Sequence, residues 1–413
     1  MTERIDVAVI GAGQAGLAAS CELTRAGVEH VVLERGKVAQ TWRGRWDSFC
    51  LVTPNWTIRL PDGHYDGDDP DGYLPRDELV SFFDRYADGI GAPVREGVDV
   101  TLLRPTSSGF ELRTGNGTIA ARSVVVASGA YQRPHRPPAM TGLSADIHQL
   151  DVTGYTDPSA LPPGPVLVLG SGQSGCQIAE ELCEAGREVF LSCGRAPWIP
   201  RRLGDRDIVW WVIATGFLDQ PVSALPDPEA RLWANLLSTG HRGGHTLNLR
   251  TLRGIGVTLL GHVVGIDGTR ARFAADLAES QAWGDARYGD LMELVRTHVR
   301  EHGLAMPEIL DPEPFDGTAP TELDLTGFGA VIVTGGFRPD YAWVDVAGAF
   351  DLQGFPNHED CMSTAAPGLA FVGVHFLRTR KSSLLYGVGE DAAVAAHGVA
   401  AHLGARLDGA SGS

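Results

Sequence analysis

The sequence predicts an α/β fold in which two copies of one strand–turn–helix unit found two domains, the second domain inserted into a first that is split around it. Three observations predict it. The octapeptide Val9-Ile10-Gly11-Ala12-Gly13-Gln14-Ala15-Gly16 returns almost unchanged as Val168-Leu169-Gly170-Ser171-Gly172-Gln173-Ser174-Gly175. Each copy follows an apolar run and opens a helical pattern that stops at a glycine, Gly27 in the first and Gly186 in the second. Later in the chain two further apolar runs end in small residues, Val124–Ala127 before Ser128-Gly129 and Val331–Val333 before Thr334-Gly335-Gly336.

The first unit starts with the strand Ile5–Ile10, turns at Gly11-Ala12-Gly13-Gln14-Ala15-Gly16, and continues as a helix through Leu17, Leu23 and Ala26. Gly11 permits the tight turn, Gly13 lets a pyrophosphate approach bare backbone, and Gly16 allows close packing of helix on strand. The next strand, His30–Leu33, ends in Glu34, which lies 34 − 11 = 23 residues after the first glycine. An acid at about that distance binds a ribose diol, so this Rossmann-like unit suits the AMP half of FAD.

The second unit runs from the strand Pro165–Leu169 through Gly170, Gly172, Gln173, Ser174 and Gly175 into a helix reaching Ala185. Its following strand, Glu188–Leu191, meets Ser192-Cys193-Gly194-Arg195 and no acid. A hydroxyl at Ser192 and a guanidinium at Arg195 suit a 2′-phosphate, which makes this the NADPH site. A flavin and a nicotinamide in one chain imply hydride transfer between them.

Proline clusters at 134–138 and 158–165 mark the outward linker, and the return falls near 320–327. The expected division is an FAD-binding domain of residues 1–157 and 327–413, interrupted by an NADPH-binding domain of 158–326. Phe110–Arg113 and Thr118–Ala121 read as a hairpin within the first. Residues 198–250, rich in tryptophan, fit neither unit; they read as an amphipathic helix filling core or as a lid facing the substrate.

Composition excludes other classes. The 413 residues are 43% hydrophobic, enough for two or three substantial cores. Lysine and arginine total 34 against 51 acids, a net charge of 34 − 51 = −17, the reverse of a nucleic-acid footprint. Cysteines 21, 50, 176, 183, 193 and 361 form neither a CxxC pair nor a zinc-like spacing, so no metal site or disulfide framework is expected, and a cytoplasmic location is. No apolar run approaches the roughly 18 residues of a spanning helix, so no membrane association is expected.

With these motifs in view, the chain resembles the class B flavin-containing monooxygenase superfamily, which includes Baeyer–Villiger enzymes, N-hydroxylases and YUCCA-like proteins. The resemblance rests on both glycine turns and Glu34, on Gln40-Thr41-Trp42 with Arg45-Trp46-Asp47-Ser48, and on Gly129-x-Tyr131-Gln132-x-Pro134. Thr334-Gly335-Gly336-Phe337-Arg338-Pro339-Asp340 and Ser383-Leu384-Leu385 with Gly387-Val388-Gly389-Glu390-Asp391 extend it to the C-terminal part. The family fingerprint FxGxxxHxxxY/F keeps only its histidine, His148, with Gly142, Ser144 and Val152 at the other places.

The resemblance implies that NADPH reduces FAD, that a flavin C(4a)-(hydro)peroxide forms with dioxygen, and that one oxygen atom passes to a small, apolar or aromatic molecule. N- or S-oxygenation is favoured; Baeyer–Villiger oxygenation of a ketone, or a flavin reductase without oxygen transfer, stays open. Trp42 would flank the isoalloxazine, and Asn55 would support the oxygenated flavin. The resemblance places Arg35, Gln40, Thr41, Ser128, Gly129, Thr334, Gly335, Ser383, Leu384 and Leu385 around the cofactors. His245, like His375 beside glycine in a loop, is the candidate catalytic histidine, and a homodimer is kept open as the assembly.

Overall fold

The computed structural model describes residues 2–404; the remaining C-terminal residues, assigned above to the first domain, lie outside the described residues. In the first domain, β1 (Glu3–Ile10) is buried from Val7 to Ile10. A strand covered on both faces reads as such an unbroken apolar run. After the turn comes α1 (Gln14–Arg25), then β2 (His30–Glu34), parallel to β1 with Val9 opposite Val32. On the other side of β1 lies β3 (Gly117–Val126), also parallel, with Val9 opposite Val125. The expected hairpin is present, Phe110 pairing antiparallel with Ala121.

The second domain repeats the plan. Its β4 (Val166–Leu169) leads to α2 (Gln173–Glu184) and β5 (Val189–Ser192), with Val168 opposite Leu191. Pleating sends alternate residues of β4 to opposite faces: Val166 and Val168 enter the core under the helices, Leu167 and Leu169 the core under a four-stranded mixed sheet. A long helix that the sequence reading did not anticipate, α3 (Leu277–His302), lays Tyr288, Leu291, Met292, Val295 and Val299 into the first of these cores at helical spacing. The other flank of β4 is β6 (Ala330–Val333), with Val168 opposite Ile332.

The expected domain limits therefore shift. Gln149–Asp151 and Ala330–Val333, assigned to the first domain by the ranges 1–157 and 327–413, are neighbouring strands of the second sheet. Four apolar residues carry no mark of the sheet they join, because pairing partners far along the chain decide it. The chain crosses between domains at Arg133–Pro134 and returns at Phe337–Arg338, and these segments pair antiparallel as a two-stranded ribbon. The final helix, α4 (Val388–Leu403), packs back on the first domain through Val388, Ala392, Ala395, Ala396 and Val399.

Residues 198–250 divide between packing and cover. In the short helix Ile208–Ala214, Trp211 is buried in the second domain's core and donates from Nε1 to the Leu203 carbonyl at 3.0 Å. Residues 234–238 instead lie across the second turn.

A buried ion pair joins the domains at a second place. Arg201, 4% exposed, pairs with Asp207 and donates to the Val52 carbonyl at 2.9 Å and to Ser238 Oγ at 2.5 Å. From the first domain, Tyr73 donates its hydroxyl to Asp207 at 2.7 Å, while its ring lies 5.0 Å from the guanidinium. No helix among the described residues is long and apolar enough to cross a membrane.

Candidate functional site

The two glycine turns share one geometry. Gly11 has φ +107° and Gly170 φ +115°, the region that favours glycine. The amide of Gly11 donates to Leu33 O at 2.8 Å, and that of Gly170 to Ser192 O at 3.0 Å. A Cβ at Gly11 would stand 2.6 Å from Ala127 O, and one at Gly170 would stand 2.6 Å from Thr334 O. At Gly16 or Gly175 it would collide with the carbonyl oxygen of Gly11 or Gly170. These four glycines serve the protein's own packing.

Gly13 is different. Its φ of −83° suits any residue, and no atom lies within 4 Å of where its Cβ would be. The space opens at the N-terminus of α1, where no side chain caps the free N–H groups. Bare backbone, free donors and the helix dipole fit a pyrophosphate.

Beside this turn Glu34 is buried and accepts from the amides of Ala12 and Gly36, both at 2.8 Å. An ionised carboxylate has about four acceptor sites, so capacity remains for ribose hydroxyls. Gln14 ties three predicted residues together: its Oε1 accepts from Trp42 Nε1 at 2.9 Å, and its Nε2 donates to Ser383 O at 2.8 Å. Ser383 Oγ is buried without a partner among the described residues, a polar atom of the kind that a flavin's heteroatoms would satisfy. Trp42 stacks at 6.3 Å on Phe83. Leu385 is buried in the first core and Leu384 packs against the second. Arg35 and Thr41 are exposed, Gln40 accepts from the Lys37 amide, and Ser128, beside Gly129 with φ +90°, accepts from Gln132. The donor set fits FAD.

At the second turn one expectation is corrected. Since Gly170 bonds to Ser192 as Gly11 does to Leu33, Ser192 is the counterpart of Leu33 and not of Glu34. The acid's place, 170 + 23 = 193, is held by Cys193. Ser192 is buried and donates its hydroxyl to Gly261 O at 3.0 Å, so it faces the sheet and not a 2′-phosphate. Arg195 is exposed and has no ion pair among the described residues. Thr334 braces the turn from below, donating to Gly170 O at 2.7 Å, and Gly335 lies beneath His135 O. Gln173 bonds through both amide atoms to the backbone of Ser238, while Ser174, in the first turn of α2, is half-buried.

The two candidate catalytic residues fall elsewhere. Asn55 is buried, but its Nδ2 donates to Asp69 O at 2.9 Å and its Oδ1 accepts from the Leu74 amide at 2.7 Å. It pins the loop between residues 69 and 74, which corrects the flavin-facing role expected for it. His245 bonds at 2.6 Å to Glu180, in the second half of α2. That bond raises its pKa above the usual imidazole value, so it is an ion-pair partner and not a free base.

Sequence reasoning missed the place where both domains converge. Arg45 lies between the rings of Phe49 and Tyr131, 5.7 and 6.0 Å from their centroids. It has no ion pair among the described residues, its Nε is buried without a partner, and burial lowers its pKa. Tyr131 also receives a bond from Asn235 at 3.2 Å and packs at 5.4 Å on Phe337. Behind it His375 is held neutral, its pKa pushed down to about 4 by burial and then by Arg380 and Arg231, with Nδ1 unpartnered. Arg45 and Tyr131 stand inside motifs quoted above; Asn235 carries no local signal.

Comparison with known proteins bears on the family and the fold. Residues 8–221 match the family model described as pyridine nucleotide-disulphide oxidoreductase. An uncharacterised CzcO-like oxidoreductase of Geobacillus kaustophilus is 30% identical over 402 residues, spanning 95% of this chain and 97% of that one. The indole-3-pyruvate monooxygenase YUCCA1 of Oryza sativa is 29% identical over 226 residues, 48% of this chain and 55% of its own length. Among solved structures, a flavin-containing monooxygenase from Stenotrophomonas maltophilia has the same fold, with TM-score 0.69 at 19% identity over 97% of this chain and 100% of that one.

Proposed function

Because the chain belongs to the pyridine nucleotide-disulphide oxidoreductase family and is an oxidoreductase with FAD and NADPH as its cofactors, we propose that it is a monooxygenase. In this reading it consumes NADPH and dioxygen and transfers one oxygen atom to a small apolar or aromatic molecule. The observation that carries this reading is the aromatic cluster at the domain junction, where Arg45, Phe49, Tyr131, Asn235, Phe337 and His375 meet. When bound, FAD supplies hydride acceptance and oxygen activation. The chain's own task is to hold both nucleotides, to keep water from them with the buried Phe49, and to keep His375 uncharged.

A disulfide-reducing role is the weaker reading. Burial pushes the thiol of Cys193 up to about 12 and that of Cys176 well above its ordinary value. Neither supplies the thiolate that disulfide exchange needs.

N- or S-oxygenation is the first reading, since a nucleophilic heteroatom requires no added acid or base. Arg45 favours ketone oxygenation as the second, because an unpaired guanidinium would stabilise the negative charge that builds during that reaction. The deciding experiment offers amines, sulfides and ketones with NADPH and dioxygen and reads product mass and position. A gain of one oxygen on nitrogen or sulfur supports the first reading, and lactone or ester supports the second. NADPH consumption that yields only hydrogen peroxide across the panel and across carboxylate-bearing ketones overturns both.

Coenzyme preference rests on Arg195. Losing a charge-assisted phosphate contact costs about 1.5–3 kcal/mol, so Arg195→Ala is expected to raise KM for NADPH roughly ten- to a hundredfold. KM for NADH should hardly change. Equal losses for both coenzymes would remove Arg195 from the phosphate site.

A further inference from the structure

The two turns differ in what stands over their middle glycine. Above Gly13 the space is open, whereas a Cβ at Gly172 would lie 3.8 Å from Ala234 Cβ. The segment 233–238 is fastened there: Ser238 bonds at both backbone atoms to Gln173, and Leu237 bridges to Trp198. Ahead of Ala234, Trp233 is 39% exposed, which is unusual for a tryptophan on a fastened segment. Its ring meets that of Trp283 edge to face at 5.6 Å.

Trp283 belongs to α3, and its neighbour Gly284 brings that helix against the loop after β5: a Cβ at Gly284 would stand 2.8 Å from Ala196 O. Arg195 is the residue before. The same loop is tied to the second turn by Ser171 Oγ, which accepts from the Gly194 amide at 3.0 Å. Four elements thus lie next to one another in series: the turn at Gly172, the loop at Arg195, Trp283 from α3 and Trp233 from the covering segment.

We infer that the Trp233–Trp283 pair is the adenine-binding subsite of the nicotinamide coenzyme, with Arg195 taking the 2′-phosphate of the same adenosine. An edge-to-face pair with one ring exposed offers a planar base a face to stack on and an edge to abut. The inference rests on the reading of the second turn as the NADPH site. It accounts for the exposure of Trp233 and for the fastening of the segment that carries it.

The test is calorimetric titration of the FAD-loaded protein with adenosine 2′,5′-bisphosphate, adenosine 5′-monophosphate and nicotinamide mononucleotide. Trp233→Ala and Trp283→Ala should each weaken both adenosine ligands roughly tenfold, the scale of losing one base–aromatic stack. Nicotinamide mononucleotide should bind as to the parent. Arg195→Ala should weaken the bisphosphate and spare the monophosphate. Since Trp233 is exposed, its variant folds even if that of Trp283 does not. Unchanged adenosine binding in Trp233→Ala overturns the subsite while leaving the second turn as the coenzyme site. A parent protein that binds neither the bisphosphate nor NADP+ overturns the reading of the second turn, and the subsite with it.

Discussion

Gly13→Val is expected to give a folded, colourless protein. The backbone at Gly13 lies where any residue is comfortable, and its missing side chain points into space that no atom of the chain occupies. The substitution therefore leaves the protein's packing intact and fills the approach to the amides at the head of α1. Flavin content should fall from one FAD per chain to nearly none, while circular dichroism matches that of the parent freed of flavin. Gly16→Ala makes the contrast, since its methyl group collides with Gly11 O and should damage the fold itself. Stoichiometric, tightly held flavin in Gly13→Val would show that the first turn does not cradle the pyrophosphate.

Arg201→Ala should be the most destabilising single change at the contact between the domains. It leaves Asp207 buried at 8% side-chain exposure, still bonded by Tyr73 and by the Val209 amide but without its counter-charge. Breaking a buried pair from one side costs about 3–5 kcal/mol. Urea unfolding should show the loss as a lower midpoint. Replacing both partners, as in Arg201→Met with Asp207→Leu, removes the uncompensated charge and should recover much of it. A loss below about 1 kcal/mol, the range of an exposed pair, would mean that water reaches the site.

Much of the fold was legible because glycine is demanded by close approach, and close approach recurs at fixed spacing. The slip at Ser192 came from judging the second strand by the chemistry at its end. Counting the same 23 residues from Gly170 leads to Cys193, and the shared bond pattern confirms that register. Asn55 could not be placed from sequence, since its partners Asp69 and Leu74 lie 14 and 19 residues away on a loop without periodicity. The junction around Arg45 gathers residues from segments as distant as 45, 131, 235, 337 and 375. No local pattern encodes such a meeting.

The ribbon of Arg133–Pro134 against Phe337–Arg338 bears on how this molecule can move. A domain hung on a single tether keeps all three rotational degrees of freedom. One hung on two strands bonded side by side loses most of its swivel and keeps chiefly the soft bend across the ribbon's face. Arg201, Asp207 and Tyr73 attach the domains again through residues outside the ribbon, and an attachment off the bending line resists that remaining motion. The two attachments together favour a fixed angle between the domains over a swinging one.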